Sequence, residues 1–185
     1  MGQGFLIIKA GEGVKCLNLK ETLDTDLLID DEYEENEDTL ENKFLTFVIN
    51  GEEYGIEIRH VTEIIGIQNI TMVPDMPHYV KGVINLRGKV IPVIDVRLRF
   101  HMAARDYDER TCIIVINIEG QSVGMIVDRV SEVLDIPKSS IESPPEVKKS
   151  ESSRFIKGMG KMDDRVMMLL NEYQLLFDAN KGERN

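Results

Sequence analysis

Residues 51–65 read GEEYGIEIRHVTEII, and residues 120–134 read GQSVGMIVDRVSEVL. The second stretch lies on the first without a gap at an offset of 69. Gly51/Gly120, Gly55/Gly124, Val61/Val130 and Glu63/Glu132 are identical, while Thr62/Ser131, Ile64/Val133 and Ile65/Leu134 keep their character. Residues 79–95 (YVKGVINLRGKVIPVID) and 155–171 (FIKGMGKMDDRVMMLLN) match in the same way at an offset of 76. There Lys81-Gly82 meets Lys157-Gly158, Lys89-Val90 meets Arg165-Val166, and Asp95 meets Asn171. The offsets differ by 7, so the second copy carries seven extra residues between its blocks. Glycines and charges repeat along with the apolar positions, which chance alternation does not produce. Two copies of one supersecondary unit, about 44–96 and 111–171, predict two similar lobes that bury a face against each other, with an exchange of strands between the lobes left open. Positions where the copies agree point to packing; positions where they differ are candidates for an added site.

Around these blocks the apolar period is two. Residues 44–49 read as a strand, Asn50-Gly51 turns the chain, and 53–58 returns. Gly55 within the return strand, and its repeat Gly124, imply a bulge or a close backbone approach. Residues 60–64 read as a short helical turn before another short strand. A loop over 71–78 carries Pro74 and Pro77, and 79–85 leads into the turn Asn85-Leu86-Arg87-Gly88. Residues 89–96 read as a buried strand in which Pro92 cannot donate to a ladder, so its backbone should face an edge or a bulge. Residues 103–110 form a charged connector, 111–118 and 121–127 the second hairpin, and 137–154 a long surface loop. Residues 155–162 and 166–170 flank a turn at Asp163-Asp164, and Asn171 can cap a final short helix that packs Tyr173, Leu175, Leu176 and Phe177. Each copy thus offers about four or five short strands at the turn spacing of a small barrel. The expected fold is mainly β: two small β-barrel lobes side by side, with short helices including one at the C-terminus.

The chain has 185 residues, 42% of them hydrophobic, enough for a core. No apolar run reaches the length of a membrane span, and the two cysteines fit a reducing compartment, so a cytoplasmic protein without direct membrane insertion is expected. Cys112 reads as a small core hydrophobe; Cys16 has no assigned role. The formal net charge of −11 is unevenly spread. Residues 1–42 hold 12 acids and 3 bases, and 8 of the acids fall within 30–41, so this segment reads as a solvated, mobile extension in which 5–9 alone has strand character. Residues 43–180 are the folded part and 181–185 a tail. The folded part is nearly neutral, aromatics are 6% and tryptophan is lacking, which argues against a nucleic-acid partner: that role needs a basic face and stacking platforms.

The case for catalysis is weak. His60, His78 and His101 lack metal-ligand spacing and cysteine partners, so a surface role is expected and no metal or cofactor is assigned. Gly158-Met159-Gly160-Lys161 lacks the spacing of a phosphate loop and aligns with a strand of the other copy. No Gly-x-Ser-x-Gly elbow occurs. What remains is asymmetry: Asn85-Leu86-Arg87-Gly88 aligns with Lys161-Met162-Asp163-Asp164, placing a cation where the second copy has an acid. Arg87 on a glycine turn can present a flat, multiply donating group to a partner, or can satisfy nearby loop carbonyls. In the expected helical turn, Val61 and Ile64 share a face while Glu63 points elsewhere, and Val130 and Val133 repeat them. These valines serve either lobe core or a seam between lobes.

The strand and turn over 44–55, Val61-x-Glu63-Ile64, the run 80–95, the segment 123–130 and Ile156-Lys157-Gly158-Met159-Gly160 together resemble the CheW family of bacterial chemotaxis coupling proteins. The signature Lys-Gly-x-x-Asn-Leu-Arg-Gly-x-x-x-Pro-x-x-Asp is highly specific, and the resemblance covers residues 43–180. The longer, acidic residues 1–42 depart from it. The resemblance implies two five-stranded SH3-like barrels and no catalysis. It implies an adaptor, recruited to membrane-associated receptor arrays, that bridges the cytoplasmic hairpin tips of chemoreceptors and the regulatory domain of the histidine kinase CheA. Carried over by position, Val61, Ile64, Val130 and Val133 line or border a receptor groove between the lobes, with Glu63 and Arg87 as polar contacts. Gly55, Gly82, Asn85, Gly88, Pro92 and Gly124 are the structural turn and signature positions.

Overall fold

A computed structural model describes residues 5–10, 13–18, 40–144, 151–162 and 164–177. The acidic run expected to be solvated and mobile lies outside the described residues as far as residue 39, as does the tail 181–185. Near the N-terminus, β1 (Phe5–Ala10) pairs antiparallel with β2 (Gly13–Asn18) as a separate hairpin, so the strand expected at 5–9 forms.

The folded part then runs β3 (Lys43–Ile49), β4 (Glu52–Glu57), β5 (Val61–Gly66), β6 (Val80–Leu86), β7 (Lys89–Asp95), α1 (Val96–Arg99), β8 (Cys112–Ile118), β9 (Gln121–Val127), β10 (Arg129–Asp135), β11 (Ile141–Glu142), β12 (Ile156–Met162), β13 (Arg165–Leu170) and α2 (Glu172–Phe177). The strands sort into two sheets. One has the order β5-β8-β9-β7-β6 and is built from the continuous stretch 61–127. The other has the order β10-β3-β4-β13-β12-β11, and its strands come from either side of that stretch. Each sheet therefore mixes both sequence copies: the first hairpin of one copy pairs with the later strands of the other. The split lobe has six strands rather than five, because two-residue β11 adds to β12 where the continuous lobe has only an isolated bridge between Thr71 and Val83.

The repeat is exact enough in its hydrogen bonds to follow residue by residue. Asn50-Gly51 has φ of 54° and 86°, and Glu119-Gly120 has 51° and 82°, the positive pair that a two-residue hairpin turn requires. Gly55 lies opposite Leu169, and Gly124 opposite Val93, at the two places where strands pair in parallel. A Cβ on Gly124 would stand 2.8 Å from Ile113 Cγ2, and one on Gly55 3.0 Å from Leu169 Cδ2, so a close approach, as read from the sequence, explains both glycines. The Asp95 amide donates to the Tyr79 carbonyl at 2.8 Å, and the Asn171 amide to the Phe155 carbonyl at 2.7 Å. Asp95 and Asn171 then cap α1 and α2, accepting from the amides of Leu98 and Gln174.

Among the described residues three apolar clusters follow. Ile84, Ile91, Val93, Ile113, Val115 and Ile126 fill the continuous lobe. Phe44, Ile136, Met167 and Leu169 fill the split lobe. The largest cluster joins the lobes, drawing Leu45, Phe47, Ile56 and Leu170 from one sheet and Ile94, Ile114, Ile116 and Met125 from the other. At its edge Arg99, 1% exposed, places its guanidinium 4.3 Å from the ring centre of Tyr79 and 4.6 Å from that of Phe155, the two equivalent aromatics of the repeat. Its Nε donates to the Leu175 carbonyl at 2.8 Å, tying α1 to α2. A buried arginine is tolerable here because ring faces and helix-end carbonyls replace its hydration.

Candidate functional site

The expected helical turn over 60–64 is a strand. A 3-10 turn occupies Ile58–His60 and β5 begins at Val61; in the second copy β10 begins at Arg129. The run Val61-Thr62-Glu63-Ile64-Ile65 is mostly β-branched, which favours extended backbone. Val61 and Ile64 nonetheless share a face, for a different reason. The register of β5 on β8 slips between Val61 and Glu63, so Val61 faces Ile116 and Ile64 faces Ile114. Such a bulge restores the phase that a spacing of three would otherwise break. The same slip occurs between Val130 and Val133 on β10, which face Phe47 and Leu45. In one lobe the Thr62 hydroxyl donates to the Val115 carbonyl at 3.0 Å beside the bulge; in the other the Thr46 hydroxyl donates to the Glu132 carbonyl at 2.8 Å.

Both strands are sheet edges, and all four apolar side chains pack on the cluster that joins the lobes. Val130 is 7% exposed, while Val61, Ile64 and Val133 are half-buried. The seam therefore leaves three side chains partly open on a firm base, with Val130 drawn into the core.

Glu63 leaves β5 on the other side and meets Arg87. The guanidinium donates to both carboxylate oxygens, at 2.8 and 3.4 Å. The glutamate side chain is 12% exposed and the arginine 69%, so the acid is the seat and the cation the presented group. Arg87 sits in the turn between β6 and β7 at φ 52°, with Gly88 at 84°. An arginine gains nothing from a left-handed backbone, which costs about 1 kcal/mol away from glycine and asparagine. Asn85 holds the turn by accepting from the Gly88 amide at 2.9 Å. Gly82 has φ 137°, and a Cβ there would stand 2.1 Å from the Thr71 carbonyl oxygen, so the loop before β6 can cross only over glycine. Pro92 faces Val83, whose own amide and carbonyl bond Thr71, and the parallel register with β9 starts one residue later at Val93. No ladder bond is asked of the proline.

Several charged contacts were not foreseen. Glu132, the repeat of Glu63, reaches Arg165 at 3.4 Å, so in each copy the repeated glutamate meets an arginine of the hairpin that follows it. Asp128 joins the lobes: Arg97 of α1 donates to it twice, at 2.7 and 2.8 Å, and the Asn50 amide of the first hairpin donates at 2.8 Å. Burial alone would raise its pKa, but the Arg97 hydrogen bonds, the Asn50 amide and the charges of Arg97 and Arg105 together lower it. The copy mismatch Arg59/Asp128 was the signal available in the sequence. His60, expected at the surface, has its Nδ1 buried 3.7 Å from Glu172 Oε1. Burial pushes the Glu172 carboxyl up, and the His60 imidazole, Lys157 and the Glu57 amide more than offset that. The rings of His78 and His101 lie 6.1 Å apart. Among the described residues no group of three or more His, Cys, Asp or Glu could hold a metal, and no helix is long and apolar enough to cross a membrane.

The family model described as the CheW-like domain matches residues 43–179. The chain is 37% identical over 139 residues to chemotaxis protein CheW of Klebsiella aerogenes, covering 75% of this chain and 84% of that one. It is 36% identical over 134 residues to chemotaxis protein CheW of Bacillus subtilis, covering 72% and 86%. The crystal structure of the scaffolding protein TtCheW from Thermoanaerobacter tengcongensis superposes with a TM-score of 0.70 at 38% identity, covering 77% of this chain and 97% of that one.

Proposed function

The chain belongs to the CheW-like family, and from that premise we propose that it is a non-catalytic adaptor coupling chemoreceptor tips to the histidine kinase CheA. The observation that carries this reading is the edge strand β5, with half-buried Val61 and Ile64 beside a glutamate-seated, solvent-facing Arg87. A helix docks by an apolar ridge with i, i+3/i+4 spacing, and the bulge sets Val61 and Ile64 on one face to receive it. Each valine or isoleucine so covered contributes roughly 1.5–3 kcal/mol, less the cost of ordering. A few such contacts give about micromolar affinity, and the repeated contacts of an array supply the rest. Val133 on β10 borders the same seam, and Val130 supports it from within. The adaptor acts in the cytoplasm, recruited to receptor arrays at the membrane, with receptor tip and kinase regulatory domain as its two partners.

Co-sedimentation with receptor-bearing membranes, with and without CheA, tests this. A ternary assembly with raised kinase activity is expected. Arg87→Glu should lower the fraction bound while the melting temperature of the variant stays near that of the parent. Arg87 is the residue to change, because Val61 packs on the core between the lobes and an aspartate there would disturb the fold itself. Binding by Arg87→Glu equal to the parent's would remove Arg87 and the turn between β6 and β7 from the interface.

A further inference from the structure

The hairpin of β1 and β2 lies outside the residues that the family model matches, and its sequence does not suit it to stand alone. β1 reads FLIIKA, with five apolar residues of six and no alternation. An alternating strand keeps one face for water; a near-continuous apolar run belongs where both faces are covered. β2 pairs with one edge of β1 and covers neither face. A two-stranded hairpin by itself is marginal in water.

The structure gives the hairpin a neighbour. β1 lies against β10, the outermost strand of the split lobe's sheet. β3 bonds one side of β10, and among the described residues no strand bonds the other. A free edge invites pairing with another chain unless something covers it. β10 is also the strand that carries Val130 and Val133 to the seam. The charges of the extension are arranged to suit the contact. Residues 5–18 hold Lys9, Lys15 and Glu12, whereas residues 21–42 hold 11 acids and no base. β10 sets Glu132 and Asp135 against Arg129. The two elements that meet are thus weakly opposite in charge, and the acidic load falls on the segment that connects them. Residues 19–42 number 24 and can reach roughly 80 Å when extended, so the tether restricts neither docking nor release.

We propose that residues 5–18 are a strap: the hairpin docks on the free side of β10 and shields the Val130 and Val133 half of the seam until a partner displaces it. The docking is independent of the coupling reading, while its regulation of receptor binding rests on that reading. A docked strap lowers the apparent affinity of the partner in proportion to the fraction of chains whose seam is open.

The test uses the full-length chain carrying Ile7→Pro or, separately, Val14→Pro. Ile7 pairs with Cys16 and Val14 with Lys9, so the two prolines open the same hairpin from either strand. Hydrogen exchange over Arg129–Asp135 should quicken about fivefold or more in both variants, while exchange over β6 and β7 stays as in the parent. Half-maximal co-sedimentation with receptor-bearing membranes should then need about three- to tenfold less protein, the shift expected for a strap docked in about 70–90% of chains. Unchanged exchange in β10 would overturn the docking. Quickened exchange with sedimentation no stronger than the parent's would overturn the shielding. Quickened exchange with no sedimentation of parent or variants would uphold the docking and count against the coupling reading instead.

Discussion

The continuous lobe and the split lobe carry out one hydrogen-bond scheme with different side chains. Where the scheme is shared, a substitution should cost the same in both lobes. Where one lobe has departed, the costs should part. The position occupied by Gly82 and Gly158 is the sharpest instance. At Gly82 the backbone is at φ 137° and a Cβ meets the Thr71 carbonyl oxygen at 2.1 Å; at Gly158 the Cβ meets Ile141 Cγ2 at 2.8 Å, and the nearest backbone atom is 3.4 Å away. A backbone oxygen cannot step aside, whereas a side chain on two-residue β11 can. Gly82→Ala should cost about 3 kcal/mol or more, and Gly158→Ala about 1–2 kcal/mol, by denaturant unfolding. Equal costs would mean that the bridge from Thr71 to Val83 is as yielding as β11.

Second in size is the contact across the lobes. Asp128→Asn leaves Arg97 facing a neutral amide and weakens the hold on Asn50, a loss of about 2 kcal/mol. Arg59, its counterpart in the repeat, pairs with Glu57 at the surface with its own side chain 59% exposed, and Arg59→Gln should change stability by a few tenths of a kcal/mol. The pH dependence follows from the lowered pKa of Asp128. Such a group contributes its stability above the ordinary aspartate value, about 3.9, and loses it as the pH falls through the lower folded value. Asp128→Asn should therefore be less stable than the parent at pH 7, with the gap closing as the pH is lowered below about 4. A gap of constant size would assign the loss to shape rather than charge.

How far the sequence was legible follows the same division. The hairpins were readable because Asn50-Gly51 and the period of two are local signals, and the glycine pairs Gly55/Gly124 announced close approach. The strand partners were not, beyond the open possibility that the lobes exchange strands. Which hairpin lies beside β13 depends on the apolar faces that meet in the core, and no local pattern records that β4 pairs with a strand more than a hundred residues on. The seam was misread as helix because a bulged strand and a helical turn both put residues three apart on one side. Periodicity alone does not separate them; the β-branched run does. Arg97 and Asp128 are 31 positions apart, and only the copy mismatch at 59 and 128 marked the second of them.

A third test concerns the asparagines that brace two turns. The Gly88 amide donates to Asn85 at 2.9 Å and the Gly120 amide to Asn117 at 3.2 Å. Asn85→Ala and Asn117→Ala should each cost about 1 kcal/mol, the worth of one such bond. Asn117 also donates to the Ser122 hydroxyl at 3.1 Å, so its loss should be the larger of the two. The reverse order would show that the turn bearing Arg87 relies on its brace more than the geometry indicates.

The smallest effect separates structure from partner binding most cleanly. Arg87 and Glu119 occupy the same place in their turns, with φ of 52° and 51°, each followed by glycine. Asparagine is favoured at that place, as Asn50 illustrates in the first hairpin. Arg87→Asn and Glu119→Asn should both relieve backbone strain, by about 0.5–1 kcal/mol before other losses. Arg87→Asn also gives up its pair with the largely buried Glu63, worth about 1 kcal/mol, so its net change in stability should be close to zero. Glu119→Asn should raise the melting temperature and leave co-sedimentation with receptor membranes unchanged. Arg87→Asn should lower co-sedimentation without lowering stability. An arginine kept in an unfavourable backbone, seated on a glutamate and turned to solvent, is then explained by what it touches in a partner. If both asparagine variants bind as the parent does, Arg87 is held only by Glu63, and the turn has no more to do with the receptor than the one at Glu119.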